Sequence, residues 1–461
     1  MMVYDIIIIG AGTAGISAYK EAIKHTNNIL IINQGPWDTT CARVGCMPSK
    51  LLISSANQLH DAKTLDKVGI QSSIYIDTSK VMQRVRKYRD QFTASVMKDV
   101  NSWEKSHKIN GKACFIDATT IEVNGKQYTS KSFIIAVGST PRENKVWEDD
   151  LGDLLLTSDT IFELSSLPKS IAIIGSGAIA TELAQALYNL DVKVHIFTRS
   201  KHIAIATSPK IQMLIQDELS QKLNVFFETT PTLKKINNQI SINYLDNSNK
   251  EQKLCVDYVL NATGRTSLLK TLQLNNIDPN FHKIENLPIA KDTKQLANLP
   301  FFVIGDAYTN TPVQHEASHE GKVAVKNCLS YPDITAKKNY PPLSIVFSSP
   351  EIAIVGQSYQ QLKEAKQEFT VGFASYANQG RATVLGKNIG GIEIYIDNET
   401  HKFLGSEIYV TQGEHLAHLL AWSLAENITL EQLLSRPFYH PTLEEGLRTA
   451  LRDAMYQLHE E

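Results

Sequence analysis

Two stretches of this chain carry the same pattern of apolar and small polar positions. The run Asp5-Ile6-Ile7-Ile8-Ile9 stops at Gly10-Ala11-Gly12, and the run Ile171-Ala172-Ile173-Ile174 stops at Gly175-Ser176-Gly177. After the first stop, Ile16, Ala18, Ala22 and Ile23 recur at helical spacing; after the second, Leu183, Ala184, Ala186, Leu187 and Leu190 do the same. A second apolar strand follows each helix, at Ile29–Ile32 and at Val192–Phe197. Each stretch therefore predicts a β-α-β unit of about thirty residues. The repeat reaches a third strand in both places. Phe133–Val137 runs into Gly138-Ser139-Thr140, and Tyr258–Ala262 runs into Thr263-Gly264-Arg265-Thr266. Inside the first copy lie a charged helical pattern from about Thr78 to Lys105 and a hairpin signal, Asn124-Gly125 between apolar residues. Beyond Pro341-Pro342 the pattern changes. Short alternating strands (Ser344–Phe347, Ile392–Ile396, Phe403–Val410) precede helical patterns near Gly413–Glu426 and Thr442–Leu458, which predicts a separate α+β domain.

Composition narrows the classes of function. Lys plus Arg number 46 and Asp plus Glu 48 in 461 residues, a formal net charge of −2. That balance argues against a nucleic-acid partner held by bulk positive charge. Apolar residues make up 43%, as in an ordinary folded protein. No apolar run approaches the roughly 20 residues of a membrane span, and Met1-Met2-Val3-Tyr4-Asp5 lacks the basic start of a signal peptide. The expected location is the cytoplasm, with neither nucleic acid nor membrane as partner. Five cysteines, two of them close together, read as a reducing compartment with one special pair.

Gly10, Gly12 and Gly15 have the full Gly-x-Gly-x-x-Gly spacing between a strand and a helix. In a dinucleotide site the first glycine permits the tight turn, the second lets backbone approach a pyrophosphate, and the third lets helix and strand close up. The helix N-terminus then offers N–H groups to the phosphates. The second strand lacks the usual closing acid and ends in Asn33, whose amide oxygen can still accept one hydrogen bond from a ribose. The second copy has Gly175 and Gly177, with Ala180 in the third place, an accepted variant. Its second strand ends Phe197-Thr198-Arg199-Ser200-Lys201-His202. That tail suits a 2′-phosphate, hence NADP(H) over NAD(H), or is a solvated basic turn.

Cys41 and Cys46 follow the first unit, four residues apart, with helical spacing resuming near Met47. They can close a small disulfide if Cys46 starts the helix, where the helix end would also favour thiolate. A zinc half-site or a chance pair are the alternatives.

The run Cys41-Ala42-Arg43-Val44-Gly45-Cys46-Met47-Pro48-Ser49-Lys50 resembles the redox-active segment of the flavin-dependent pyridine nucleotide–disulfide oxidoreductases, the dihydrolipoyl dehydrogenase branch most of all. The resemblance takes in both glycine fingerprints and Ala262-Thr263-Gly264-Arg265. It also takes in Val303-Ile304-Gly305-Asp306, similar to a second FAD motif, and His440-Pro441-Thr442-Leu443-Glu444-Glu445, similar to a C-terminal His-Glu signature. It implies an α/β fold with two Rossmann-like dinucleotide-binding domains plus a C-terminal α+β dimerisation domain. The expected boundaries are 1–145 and 266–338 for the FAD-binding parts, 146–265 for the NAD(P)-binding domain and 339–461 for dimerisation.

The resemblance also implies roles. Gly10, Gly12, Gly15, Asn33, Gly138, Gly305 and Asp306 would hold FAD; Gly175, Gly177, Arg199 and Gly264 would serve NAD(P)(H). Asp306 could equally be a turn residue. Cys46 would face the flavin and Cys41 the substrate. Lys50 would lie near the flavin and pair with Glu182, although both could be ordinary helix charges. His440, from the other subunit of a homodimer with shared active sites, would move the proton, and Glu445 would orient it. Thr442 and Glu445 also read as a capping box on a helix starting just after His440. The expected reaction moves electrons between NAD(P)(H) and a small disulfide or lipoyl substrate. A glutathione reductase-like enzyme and a flavin redox sensor are the rivals. Mercuric and large thioredoxin reductases are disfavoured because no cysteine follows Cys328. Asp38-Thr39-Thr40 departs from the family's usual Gly-Gly-Thr, and Thr198 and Ala180 depart from a typical NAD-dependent dihydrolipoyl dehydrogenase. Cys114, Cys255 and Cys328 are expected in the core, and His315 and His319 on a helix surface or at a dimer contact, without a metal.

Overall fold

Val3–Ile9 forms the middle of a seven-stranded sheet because its isoleucines can be buried on both faces. It pairs in parallel with Ile29–Asn33 on one side and Lys126–Ile135 on the other. Ile6 and Ile8 enter one core with the helices Thr13–Ala22 and Gln314–Ser330, while Ile7 and Ile9 enter a second core on the opposite face. Phe301–Val303 lies parallel to Lys126–Ile135, and Thr120–Val123 joins it through the Asn124-Gly125 turn. Both turn residues have positive φ, 54° and 74°, as the hairpin signal requires. The computed structural model describes residues 2–246, 248–308, 313–336 and 340–460.

These strands belong to the first of two compact units, built from Met1–Pro48, Arg86–Arg142 and Arg265–Asn339. The second unit comprises Ser49–Val85, Glu143–Gly264 and Tyr340–Glu461. It holds a five-stranded parallel sheet in the order Asn224–Phe226, Lys193–Phe197, Ser170–Ile174, Tyr258–Asn261, Leu155–Thr157. It also holds a five-stranded antiparallel sheet, Leu343–Val346, Glu351–Gly356, Phe403–Val410, Gly391–Asp397, Phe369–Ser375. The helices Gly413–Ala425 and Glu444–Glu460 share a core with that second sheet. The segment 49–85, read from sequence inside the first domain, packs within the second unit. The boundary read between 338 and 339 lies outside the described residues.

Two helix boundaries differ from the sequence pattern. The charged helix runs Thr78–Asn101 rather than to Lys105. It stops where Trp103 turns inward to stack on buried Tyr19, with ring centroids 4.0 Å apart. The last helix starts at Glu444, not just after His440. Thr442 is held in a turn: its hydroxyl donates to the Tyr439 carbonyl at 2.8 Å, and its N–H donates to Glu445 Oε2 at 3.3 Å, which is one half of the expected capping box. Among the described residues no helix is long and apolar enough to cross a membrane.

Candidate active site

The first glycine turn is closed by backbone contact. Gly10 has φ +108°, and a Cβ there would lie 2.2 Å from the Ala136 carbonyl oxygen. A Cβ on Gly15 would lie 1.9 Å from the Gly10 oxygen, so helix and strand meet with no room for a side chain. Nothing lies within 4 Å of the Cβ position of Gly12, which leaves the helix start at Thr13 open. No side chain caps that helix and no acid stands in its first turn. Its N–H groups are thus available to an anion. The Asn33 amide is taken up within the chain. Its oxygen accepts the Ala11 N–H at 2.9 Å, and its nitrogen donates to the Gly35 and Pro36 carbonyls at 3.2 and 2.9 Å. Asn33 thus fastens the turn from behind, and its amide oxygen keeps a second lone pair.

The second turn copies the first. Gly175 has φ +132° and its Cβ would lie 2.3 Å from the Ala262 oxygen, while the Cβ position of Gly177 is open. The helix Ala178–Asn189 is likewise uncapped and free of acids in its first turn. Ala180 is fully buried in the place of the third glycine. Thr198 plays the part of Asn33: its hydroxyl donates to Ser176 Oγ at 2.9 Å and accepts the Ser200 N–H at 3.0 Å. Arg199, Lys201 and His202 are exposed beyond it, with Lys201 3.6 Å from Glu228.

Three residues past each third strand stands a glycine of positive φ, Gly138 at 71° and Gly264 at 119°. The next segments, Ser139–Pro141 and Arg265–Ser267, pair antiparallel, and Arg265 donates to the Ser139 carbonyl at 2.8 Å and hydroxyl at 2.9 Å. Gly305 and Asp306 form one turn of 3-10 helix, Gly305–Ala307. Burial pushes the Asp306 carboxyl up; nearby Arg265 pulls it down and Glu320 pushes it up.

Cys41 sits in a short helix, Thr40–Arg43, that sequence patterning misses. Thr39 caps it by accepting the Ala42 N–H at 3.2 Å, and Arg43 pairs with Asp38 at 3.1 Å. The departure at Asp38-Thr39 thus supplies a cap and an anchor for this helix. Cys46 is the first residue of the next helix, Cys46–Lys63. Cys41 is partly exposed and Cys46 exposed. On the same helix, the Lys50 ammonium lies 2.8 Å from Glu182 Oε2 and 4.5 Å above the Phe347 ring. Buried Glu182 also accepts the Phe347 N–H at 2.9 Å. The expected Lys50–Glu182 pair is therefore present.

His440 Nδ1 lies 2.9 Å from Glu445 Oε2. A carboxylate only accepts, so Nδ1 carries the proton and Nε2 is left as acceptor. The same carboxylate takes the Thr442 N–H at 3.3 Å and Arg448 at 2.7 Å. Partial desolvation pushes the Glu445 carboxyl up, but these three partners hold it below the ordinary range. The His440 side chain is 81% exposed.

Residues 4–321 match the pyridine nucleotide-disulphide oxidoreductase family, and residues 343–451 match the dimerisation domain of that family. The chain belongs to the pyridine nucleotide-disulphide oxidoreductase family. It is 28% identical to a mercuric reductase of Staphylococcus aureus over 449 residues, 97% of this chain and 82% of that one. It is 29% identical to a dihydrolipoyl dehydrogenase of Geobacillus stearothermophilus over 451 residues, 96% of this chain and 94% of that one. Among solved structures it is similar to LpdA of Mycobacterium tuberculosis, with TM-score 0.81, 18% identity and coverage of 97% and 98%. It is also similar to a HOCl-induced flavoprotein disulfide reductase of Escherichia coli, with TM-score 0.79, 19% identity and coverage of 98% and 99%. At these identities the structural likeness shows the fold.

Pyridine nucleotide-disulphide oxidoreductases use FAD and NAD(P)H. The two turns fit such ligands, because each combines an open second glycine with an uncapped helix N-terminus. Two residues beside the Gly305 turn carry no sequence signature. Glu320 accepts the Gly305 N–H at 2.8 Å, and Lys294 pairs with Glu320 at 2.9 Å. Neither lies in a motif or in a periodic pattern. Of the other cysteines, Cys328 is buried and its thiol pushed up by burial, and Cys114 is partly buried. Cys255, expected in the core, is exposed on the strand Glu251–Val256, because its neighbours Leu254 and Val256 take the inward face. His315 and His319 lie on the helix Gln314–Ser330, and the described residues contain no cluster of three metal-ligating side chains.

Proposed function

We propose that the protein is a dithiol–disulfide oxidoreductase of the dihydrolipoyl dehydrogenase kind. Cys41 and Cys46 are its redox pair, and in a homodimer the His440 of each subunit serves the cysteines of the other. The observation that carries this reading is the start of the cysteine helix. Cys46 opens it, and Lys50 follows at i+4 on the same face, its ammonium fixed by Glu182. A chance pair of cysteines would not need a cation held in that place.

Bound FAD supplies the two-electron relay between the nicotinamide and the cysteine pair. The chain supplies the thiol chemistry. The Cys41 thiolate attacks one sulfur of the substrate disulfide, so that a Cys41–substrate bond forms and the substrate S–S bond breaks. His440 takes the Cys41 thiol proton at Nε2 as the thiolate forms and gives it to the departing sulfur, while Glu445 at Nδ1 stabilises the charged ring between the two transfers. The Cys46 thiolate then attacks Cys41, closing the Cys41–Cys46 bond, breaking the Cys41–substrate bond and releasing the second substrate sulfur as a thiolate that takes its proton from solvent. Run backward, the same steps oxidise a dithiol such as dihydrolipoamide. The exposed Arg199 supports NADP(H) as coenzyme. Five cysteines of which only one pair is close together suit a reducing compartment, the cytoplasm.

The test is a set of turnover assays on the purified holoenzyme. Lipoamide and glutathione disulfide are each offered with NADH and with NADPH, and mercuric ion with NADPH. Lipoamide turnover supports the reading. Glutathione disulfide turnover with NADPH alone, favoured by Arg199, moves the protein to the reductase branch. Mercuric ion turnover without disulfide turnover overturns it and aligns the chain with the mercuric reductases it resembles. Silence with all three on a flavin that NAD(P)H reduces overturns it in favour of a sensor.

A further inference from the structure

Glu320 is 5% exposed and stands at the joint between the two segments assigned to FAD. Its Oε2 accepts the Gly305 N–H at 2.8 Å, at the start of the turn that carries Asp306. Its Oε1 takes the Lys294 ammonium at 2.9 Å, and the Lys294 side chain is itself mostly buried. Neither charge could stay in that place alone, because a buried ion without a partner is strongly destabilising. The helix that bears Glu320 is pressed onto the helix of the first glycine turn. A Cβ on Gly321 would lie 2.5 Å from the Ala14 oxygen, and Ser318 Oγ lies 2.9 Å from Ser17 Oγ. Gly305 completes the contact, since its own Cβ position is 3.0 Å from Ala14 Cβ. One helix therefore touches both turns, and Glu320 is the side chain by which it grips the second. The charge of Glu320 also bears on buried Asp306, and Lys294 offsets it.

We infer that Glu320 and Lys294 form a positioning pair for FAD. They hold the Gly305–Asp306 turn in register with the Gly10–Gly15 turn, and Lys294 balances the carboxylate charge beside Asp306. This rests on the assignment of the Gly305–Asp306 turn to the FAD site. Neither residue touches the reacting atoms, so the effect is on FAD affinity and not on the thiol steps.

The experiment measures the FAD dissociation constant of full-length apoprotein by quenching of flavin fluorescence, with far-UV circular dichroism on the same samples. Glu320→Ala removes the grip and strands Lys294, and is expected to weaken FAD about 100-fold. Lys294→Met leaves a lone buried carboxylate and is expected to weaken it about 10-fold. The double variant Lys294→Met/Glu320→Gln keeps an acceptor for the Gly305 N–H and buries no charge; its affinity returns to within about 3-fold of the parent. A merely structural role would not give that recovery, and the double variant preserves side-chain volume, so it decides the matter even where Glu320→Ala does not fold. An unchanged affinity in Lys294→Met, or a double variant weaker than either single change, overturns the pair. Asp306→Asn separates the two levels. If it leaves FAD binding untouched, the assignment of that turn fails; if it weakens FAD while the changes at Lys294 and Glu320 do not, only the pair fails.

Discussion

The two glycine turns are alike in their backbone and unlike in their surroundings. In both, the first glycine presses on the carbonyl of a third strand, the second leaves an open place, and the helix behind is uncapped. In both, the polar residue that ends the second strand bonds to the residue between the glycines, Asn33 to Ala11 and Thr198 to Ser176. The missing acids at these two strand ends thus have one cause: each position is used to tie the turn. The flanks differ. Asn33 is buried, its amide committed to Gly35 and Pro36, and the chain continues to the cysteine helix. Thr198 leads into a tail in which Arg199 and Lys201 are exposed. The shared turn fits a pyrophosphate. Gln34, Gly35 and Pro36 are exposed after the first strand, as Arg199, Lys201 and His202 are after the second, so the two flanks differ in charge and not in burial.

The largest test of that comparison sets Gly10→Ala against Gly175→Ala. Each puts a Cβ about as close to a carbonyl oxygen, 2.2 and 2.3 Å, at a φ that alanine avoids. The local cost is about 3 kcal/mol or more in both cases. The readouts should separate. Gly10→Ala is expected to yield protein without flavin. Gly175→Ala should stay yellow and show a KM for the nicotinamide raised about 100-fold. The ratio of flavin to protein absorbance, with a nicotinamide titration, checks both. Flavin loss in Gly175→Ala would break the division of labour between the turns.

The part of this architecture that was legible in the sequence is the part written in local periodicity. The runs Ile6–Ile9 and Ile171–Ile174, the glycine spacings and the Asn124-Gly125 hairpin each specify their own geometry within a few residues. The cysteine helix was legible for the same reason, since a new helical apolar spacing begins near Met47. The Lys50–Glu182 pair joins residues 132 apart in the chain and was reached only through the resemblance, because each residue alone reads as a surface charge. Lys294 and Glu320 had neither a pattern nor a motif to mark them; their meaning comes from the backbone of Gly305. Cys255 is a different kind of miss. The apolar neighbours Leu254 and Val256 suggest a buried stretch, but strand alternation places the thiol between them outward.

A smaller test removes the strand-end ties. Asn33→Ala loses three hydrogen bonds in a buried place, at an expected cost of about 2–3 kcal/mol, and FAD affinity should fall about 30-fold. Thr198→Ala loses two, at about 1–2 kcal/mol, and should affect only the nicotinamide step. Equal losses of FAD in the two variants would mean that the strand ends do not act turn by turn. Smaller again is the effect of Arg199→Ala. An exposed guanidinium facing a 2′-phosphate is worth about tenfold in the ratio of kcat/KM for NADPH to that for NADH. A ratio that does not move would reduce Arg199 to a solvated charge and leave the coenzyme choice to other residues.

The smallest predicted effect concerns the third glycine. A Cβ on Gly15 would strike the Gly10 oxygen at 1.9 Å, yet Ala180 stands at the matching position of the second turn, fully buried. The second helix must therefore stand slightly farther from its strand. If that spacing is set by the packing of Leu183, Ala184 and Leu187 and not by the alanine methyl, Ala180→Gly will not collapse it. The substitution should cost about 1 kcal/mol, mostly through helix propensity. The melting temperature should fall by less than about 3 °C, with FAD content and nicotinamide KM unchanged. A large rise in KM would show that the methyl itself props the second turn open. The two turns would then differ in their backbone as well as in their flanks.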